Sequence, residues 1–320
     1  MKIRKEKWTL WIMLAVILLA ACSGDDTGET TVVPDIPVSD EEIRLEANAW
    51  QMMAGTRTTY YDTQGDLRSN GFKCYAYIKD SSPLVAYING LDITWSGSAW
   101  MFPDGKHYWP ASEHLHFFAY LPSSVPSYIQ NITFTTANQC PQFDCQNLPV
   151  TSDGQGSSLK EFVYAFLRDQ NKTDNGASGV NLAFHHPFAR IKFVNGKPDN
   201  IKIQTITFKN IKNNGTFNYD TNPKWTTSGS ATNFVANINQ SSYAGSSTPI
   251  AIGDPYIVLP QTFTGDIEVV AKWTDWGEDI NHTVTATVPM TWQPGYTYTY
   301  TFNIINGDLV VNSEKYTEQW

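Results

Sequence analysis

Charge is scarce in this chain: Asp, Glu, Lys and Arg make up 17% of its 320 residues, below the quarter or so of an ordinary globular domain. Bases are scarcer than acids, and the formal net charge is −9. An anionic chain without a basic stripe is a poor partner for nucleic acid, because phosphate contacts supply most of that affinity. Cysteine is limited to Cys22, Cys74, Cys140 and Cys145, and nothing has the spacing of a zinc site. No G-x-S-x-G occurs, and Gly154-Gln155-Gly156 lacks the strand-to-helix context of a phosphate loop. Long helical periodicity is missing too. Together these absences argue against a nucleotide cofactor, a resident metal or an enzymatic activity.

What is present is aromatic and β-prone. Tyr, Thr, Val and Asn recur in short runs separated by Gly and Pro, which predicts an all-β protein. The length suits two domains. Strands are expected over 72–78 and 84–88 around a turn at 80–83, with a second turn signal at Asn89-Gly90 and a short hairpin from Trp95 to Trp100. Residues 115–122 read as a central strand, 123–158 as a looser segment, and 162–166 as a strand closing the first half. The polar stretch 168–178 is the best domain boundary. Residues 180–194 open the second half, followed by strands over 201–211, 256–260, 267–273 and 296–304. The last of these is the cleanest, with Tyr296, Tyr298, Tyr300, Phe302 and Ile304 on one face and Thr297, Thr299, Thr301 and Asn303 opposite. A tail of extended character, 308–320, follows Asn306-Gly307.

The N-terminus reads as a targeting segment. Lys2, Arg4, Lys5 and Lys7 precede an apolar run from Trp8 to Ala21, too short for a membrane span of about 20 residues but suited to a secretory signal. The run ends Leu19-Ala20-Ala21-Cys22, which resembles a bacterial lipobox; that resemblance implies cleavage before Cys22 and a lipid on its thiol. The acidic Ser23-Gly24-Asp25-Asp26 resembles a surface-export signal of some Gram-negative lipoproteins. Residues 23–42 look like a tether.

Next comes a stretch with the period of a half-buried strand. Ile43, Leu45, Ala47 and Ala49 fall on one side, and Arg44, Glu46 and Asn48 on the other. It runs into Gly55-Thr56-Arg57-Thr58-Thr59, a small polar stretch with a basic residue suited to an exposed loop. A first strand followed by a cleavable loop can be removed after folding. An ordinary first strand and a lone surface arginine fit the same residues.

Several constellations invite chemistry. His114 and His116 share a strand face but have no evident third ligand. Asp275, Glu278 and Asp279 could pair with His282 as acid and base, yet they flank a hairpin loop. Cys140 and Cys145 are spaced either to close a small disulfide loop in an oxidising compartment or to stay reduced. Cys74 reads as a buried thiol.

The order of motifs resembles the fimbrillin family, the subunits of type V pili in Gram-negative bacteria. The matching elements are the lipobox, Gly55-Thr56-Arg57 after an early strand, Tyr108-Trp109-Pro110, and Leu115 to Pro122. Further on come Phe184-His185-His186-Pro187-Phe188-Ala189-Arg190, Leu259-Pro260-Gln261 and Trp292-Gln293-Pro294-Gly295-Tyr296-Thr297-Tyr298. Each motif alone is weak, whereas their order spans nearly the whole chain. Pro187 departs from the small or aliphatic residue expected there.

The resemblance implies two tandem transthyretin-like β-sandwiches and a subunit exported as an outer-membrane lipoprotein. It further implies cutting by an Arg-specific protease at the arginine matching Arg57, with Arg68 as a competing site. A neighbouring pilin's C-terminal strand then fills the vacated groove of an extracellular fimbria. The expected divisions are a signal over 1–21, a tether and removable strand over 22–57, sandwiches over 58–175 and 176–306, and a donor strand over 307–320. Leu309, Val310, Val311, Tyr316 and Trp320 carry the tail's apolar surface, and either of its faces could turn inward. The competing reading is a glycan-binding surface lipoprotein: eleven Trp and sixteen Tyr suit sugar stacking, with Trp95, Trp100, Trp273 and Trp276 in or beside loops.

Overall fold

The computed structural model describes residues 36–49, 63–155 and 159–319. The signal, Cys22, Arg57 and Trp320 lie outside the described residues. The protein is all-β. It opens with β1 (Val38–Glu42) and β2 (Leu45–Ala49), then helix α1 (Gln64–Asn70). A capping box starts that helix: the Thr63 hydroxyl accepts from the Asp66 amide, and the Asp66 carboxylate accepts from the Thr63 amide. The first half continues with β3 (Phe72–Ile78), β4 (Ala86–Trp95), β5 (Trp100–Met101), β6 (Tyr108–Pro110), β7 (Leu115–Leu121), β8 (Ile129–Phe134), β9 (Pro141–Cys145) and β10 (Val163–Gln170). After a single turn, α2 (Lys172–Asn175), come β11 (Val180–Phe184), β12 (Ala189–Asn195), β13 (Lys202–Ile211), β14 (Asn214–Asn218) and β15 (Trp225–Ser228). The chain ends with β16 (Thr232–Asn237), β17 (Ile250–Val258), β18 (Thr262–Asp275), β19 (Glu278–Thr291), β20 (Tyr296–Ile305) and β21 (Asp308–Gln319).

A five-stranded sheet, ordered β10-β7-β3-β4-β5, organises the first half. Phe72, Cys74, Ala76 and Ile78 of β3 alternate into one core, joined by Leu115, Phe117, Ala119 and Leu121 of β7. The opposite wall is two paired ladders, β1 with β6 and β2 with β11. The sheet's other face carries Tyr75, Tyr77, Phe118, Tyr120 and Tyr164 under a second sheet, β15-β14-β9-β8. β7 is therefore buried on both faces along its whole length. Burial on both faces gives a strand an unbroken apolar run, which is why 115–121 does not alternate.

The second sandwich faces β17-β12-β20-β21 with β16-β13-β18-β19. Ile191, Phe193, Tyr300 and Phe302 meet Ile206, Phe208, Ile267 and Val269 between them. Trp292 closes one end, its indole N–H donating to the Tyr300 hydroxyl at 2.7 Å. A buried Trp needs such a partner for its polar edge.

Several expectations change. Asn89-Gly90 lies inside β4 rather than at a turn, where the β3–β4 register shifts between Cys74 and Ala76. Gly90 has φ +68°, and a Cβ there would sit 2.8 Å from the Tyr75 hydroxyl, so the glycine serves a bulge under a tyrosine. The looser segment 123–158 contains β8 and β9, and β9 pairs with β14 from the second half. Residues 180–194 form two strands in different layers. Val180, Leu182 and Phe184 of β11 pack in the first core, whereas Ala189, Ile191 and Phe193 of β12 pack in the last. A division at 175/176 thus leaves β11 on the far side of its own core, because the polar turn precedes the crossover strand instead of following it.

The crossover contains His185-His186-Pro187-Phe188. The His185 amide and carbonyl pair with Tyr164, and the His186 ring meets the buried Glu161 carboxylate at 2.8 Å. Pro187 offers its carbonyl to the Trp225 indole at 2.5 Å, and β12 starts two residues later. The layer between the halves is aromatic: Phe143 lies 4.9 Å from Phe162 and 4.5 Å from Phe217, ring centre to ring centre. Phe143→Ala should cost about 3–5 kcal/mol of unfolding free energy in urea denaturation. A loss below about 1 kcal/mol would mean that this layer contributes little to holding the fold together.

Candidate functional site

Residues 36–49 form an inserted strand with two different neighbours. Its first half runs antiparallel to β6, with Val38 opposite Pro110 and Glu42 opposite Tyr108. The Ala111 amide donates to the Pro37 carbonyl at 2.8 Å and the Ile43 amide to the His107 carbonyl at 2.7 Å. Its second half runs parallel to β11, with Leu45 opposite Val180, Ala47 opposite Leu182 and Ala49 opposite Phe184. The strand therefore completes two ladders at once. Ile43, Leu45 and Ala47 are 2%, 3% and 1% exposed, while Arg44, Glu46 and Asn48 face out. Fully burying an Ile or Leu is worth about 1.5–3 kcal/mol, and each ladder hydrogen bond a net ~1 kcal/mol.

Polar contacts fasten the outer edge. Lys106 pairs with Glu42 at 2.8 Å, Asn48 donates to the Asn181 side chain at 2.6 Å, and the Gln64 side-chain amide donates to the Ala47 carbonyl at 2.6 Å. Sequence alone suggests neither Gln64 nor the flanks β6 and β11 as parts of this site. The one available signal was the alternation Val180-Asn181-Leu182-Ala183-Phe184. Arg68 sits in the last turn of α1 with its guanidinium 4.3 Å from the centre of the Trp95 ring. A helical bond must unwind before it can enter an extended protease cleft, so this geometry disfavours cutting there.

At the other end of the chain, β21 is an edge strand, antiparallel to β20 from Ile305–Asp308 to Tyr296–Gln319. Leu309 is 8% exposed and Val311 packs on the second core, but Val310 and residues 312–315 are exposed. Lys315 adds a side-chain contact to this ladder, its ammonium 3.9 Å from the centre of the Tyr296 ring.

Of the two alternatives open to Cys140 and Cys145, the disulfide loop does not form. Both residues are free and buried: Cys140 immediately precedes the extended β9 and Cys145 ends it. Five extended residues span about 16 Å, and a bridge needs Cα atoms within about 7 Å. Burial pushes the Cys145 thiol up to about 12, which leaves it protonated and unreactive.

His114 and His116 both turn to Asp169: His114 meets its carboxylate at 2.5 Å, and the His116 ring accepts from its amide at 3.0 Å. Among the described residues no group of three or more His, Cys, Asp or Glu could hold a metal ion. Asp279 is occupied by Lys202, Tyr243 and Thr274, while His282 stacks on Trp273 at 3.6 Å, so the acid–base pairing across the hairpin does not form. The four tryptophans do not share a platform. Trp100 is buried against Trp95 in the first half, while Trp276 stands 96% exposed at the β18–β19 turn.

Stacked sheets, with a buried first strand and a last strand on a sheet edge, make this a β-sandwich protein. The profile of the fimbrillin-like family matches residues 56–320, and the chain belongs to that family. A candidate cell adhesion protein from Bacteroides ovatus shares its fold, at 14% identity and a TM-score of 0.51, over 88% of this chain and 98% of that one. A second, from Bacteroides uniformis, has 16% identity and a TM-score of 0.49 over 87% and 98%. The fimbrial anchor protein Mfa2 from Porphyromonas gingivalis has 12% identity and a TM-score of 0.36 over 87% and 98%. No curated protein matches this chain.

The Asp279 cluster yields a pH prediction. Its hydrogen bond from Lys202, then that from Tyr243, lowers the carboxyl pKa from 3.8 to about 2. A depressed carboxyl stabilises the fold above its ordinary pKa, and that contribution is lost as the pH falls toward the folded value. A chemical-shift titration should place Asp279 near 2, and Lys202→Ala should move it back toward 3.8. An unmoved midpoint in the variant would assign the shift to another cause.

Proposed function

We propose that this chain is a structural subunit of a type V-like pilus that supports adhesion. It travels to the cell surface as a lipoprotein anchored through Cys22, is cut after Arg57 by an Arg-specific protease, and polymerises by strand exchange into an extracellular fimbria. The observation that carries this reading is the seat of residues 36–49. A segment that joins two ladders and buries Ile43, Leu45 and Ala47 leads directly into the stretch containing Arg57. Severing that stretch makes the segment a separate piece held only by non-covalent contacts, and its departure leaves a preformed groove between β6 and β11. Membership of the fimbrillin-like family supports a role in fimbriae, and the adhesion proteins of the same fold are in keeping with it.

The role is architectural and not catalytic. The partners are other pilin subunits, the protease and, in the precursor, the lipid anchor. Donation falls to Leu309, Val310, Val311, Tyr316 and Trp320 in the tail. A preformed groove favours such an insertion because the acceptor side is already ordered and only the entering strand loses freedom.

Peptide mapping of surface-shed material tests the reading: a new N-terminus at Thr58 is expected, whereas a glycan binder keeps residues 43–53. Arg57→Ala should leave a lipidated, monomeric precursor, and normal polymer from that variant without cutting at Arg68 would overturn the model. Deleting residues 308–320 should leave a chain that folds and accepts a strand but donates none. Unaltered filaments from that deletion would refute the tail's role.

A further inference from the structure

Four strands end the two sheets of the second sandwich, and among the described residues β19 is the one left without protection. We propose that β19 is an interface between two copies of this chain, which pair edge to edge and antiparallel about a two-fold axis perpendicular to the sheet. This association joins folded subunits side by side. It is separate from the strand exchange above, since it uses neither the first strand nor the last.

The β18–β19 hairpin fixes which backbone groups of β19 face outward. Its fourteen pairs run without a register shift from Thr262–Thr291 to Asp275–Glu278, and the two-residue turn Trp276-Gly277 has positive φ at both positions. Such a turn is closed by a pair that exchanges both hydrogen bonds, so even-numbered residues of β19 bond to β18 and odd-numbered ones point away. Trp292 keeps this phase, its amide donating to the Gln261 carbonyl at 2.8 Å. Asn281, Thr283, Thr285 and Thr287 thus turn amide and carbonyl outward, and among the described residues no strand pairs with them. Pro289 shares the outward phase, where a missing N–H costs no ladder bond.

The other three edges carry the usual guards. β16 is covered by segment 150–152: the Val235 amide donates to the Val150 carbonyl at 2.8 Å and the Ser152 amide to the Val235 carbonyl at 2.9 Å. β17 is interrupted at Gly253, φ +62°, where its register on β12 shifts. β21 carries Glu314 and Lys315. By contrast, β19 has no Asp, Glu, Lys or Arg from Ile280 to Thr291, so a copy laid beside it brings no like charges together. Its two faces also match themselves. Val284, Ala286 and Val288 pack toward the core, while Thr283, Thr285 and Thr287 are exposed. An antiparallel copy sets the Val-Ala-Val row beside its own kind and threonine beside threonine, both favourable cross-strand pairs. Parallel pairing through the same edge turns one sheet over and sets the threonine face beside the valine face.

Sedimentation equilibrium tests the interface on the chain from Ser23 onward bearing Arg57→Ala, which carries no lipid and keeps its first strand, so exchange does not contribute. A monomer–dimer equilibrium is expected. Thr285→Lys should weaken the dimer by about tenfold or more, because the new ammonium meets its own copy across the axis. Thr285→Pro should do likewise by removing an outward N–H, and neither variant touches the ladder to β18. Thr264→Lys puts the same charge on the same exposed face but on β18, away from the edge, and should leave the dimer within about twofold. A chain that stays monomeric up to about 1 mM, or a dimer that both Thr285 variants leave intact, would overturn the interface. An equal loss from Thr264→Lys would show charge rather than the edge at work and overturn it as well. Polymers larger than the dimer would overturn the two-fold arrangement, which uses up both edges. Spin labels on Asn281→Cys read the direction: antiparallel pairing separates them by roughly 30 Å, and a separation below about 10 Å would overturn it in favour of parallel pairing.

Discussion

Backbone pairing is the constraint from which the rest follows. The inner edges of β6 and β11 each present amides and carbonyls beside a packed core, where an unmet hydrogen bond is costly. Residues 36–49 meet both edges, one antiparallel and one parallel. Because the requirement concerns backbone groups, any strand with suitable side chains can satisfy it. Identity enters only through the pockets of Ile43, Leu45 and Ala47.

The surrounding layers give that groove a rigid frame. The five-stranded sheet is covered on one face by the inserted strand and its neighbours and on the other by β15-β14-β9-β8. That second cover mixes β8 and β9 with β14 and β15 from far along the chain. Phe188, Ile257 and Leu259 from the second half also pack into this aromatic layer. The two halves are thus joined by a shared core rather than by a flexible linker. The first strand lies ahead of this frame and the last lies on its outer edge.

The ionisable groups carry structural tasks. His186 and Glu161 meet where the chain crosses from one sandwich to the other, Lys106 ties the loop before β6 to β1, Lys202 of β13 reaches past β18 to Asp279 of β19, and Asp169 gathers Lys79 and His114. Breaking a buried polar contact of this kind is costly. Its role at the crossover is to hold one geometry there.

Local pattern showed the strand at 43–49, the 72–78 and 115–121 strands, the Trp95–Trp100 hairpin and the Tyr296–Ile305 strand, since period-two alternation and turn residues are properties of neighbouring positions. It did not reveal β8 and β9, whose partners are β14 and β15 and whose pattern Thr, Asn and Gln interrupt. It misread Asn89-Gly90, because a glycine needed at positive φ looks the same in a turn and in a bulge. It left open whether Cys140 and Cys145 pair, and the extended chain between them keeps them apart. Sequence by itself determined the all-β character and the apolar face of the first strand, since these depend only on which side chains alternate. Tertiary structure alone decided that the first strand sits between β6 and β11, that β11 belongs to the first core, and which pockets accept which sizes. Those are matters of long-range pairing, set by contacts between residues from 66 to 135 positions apart.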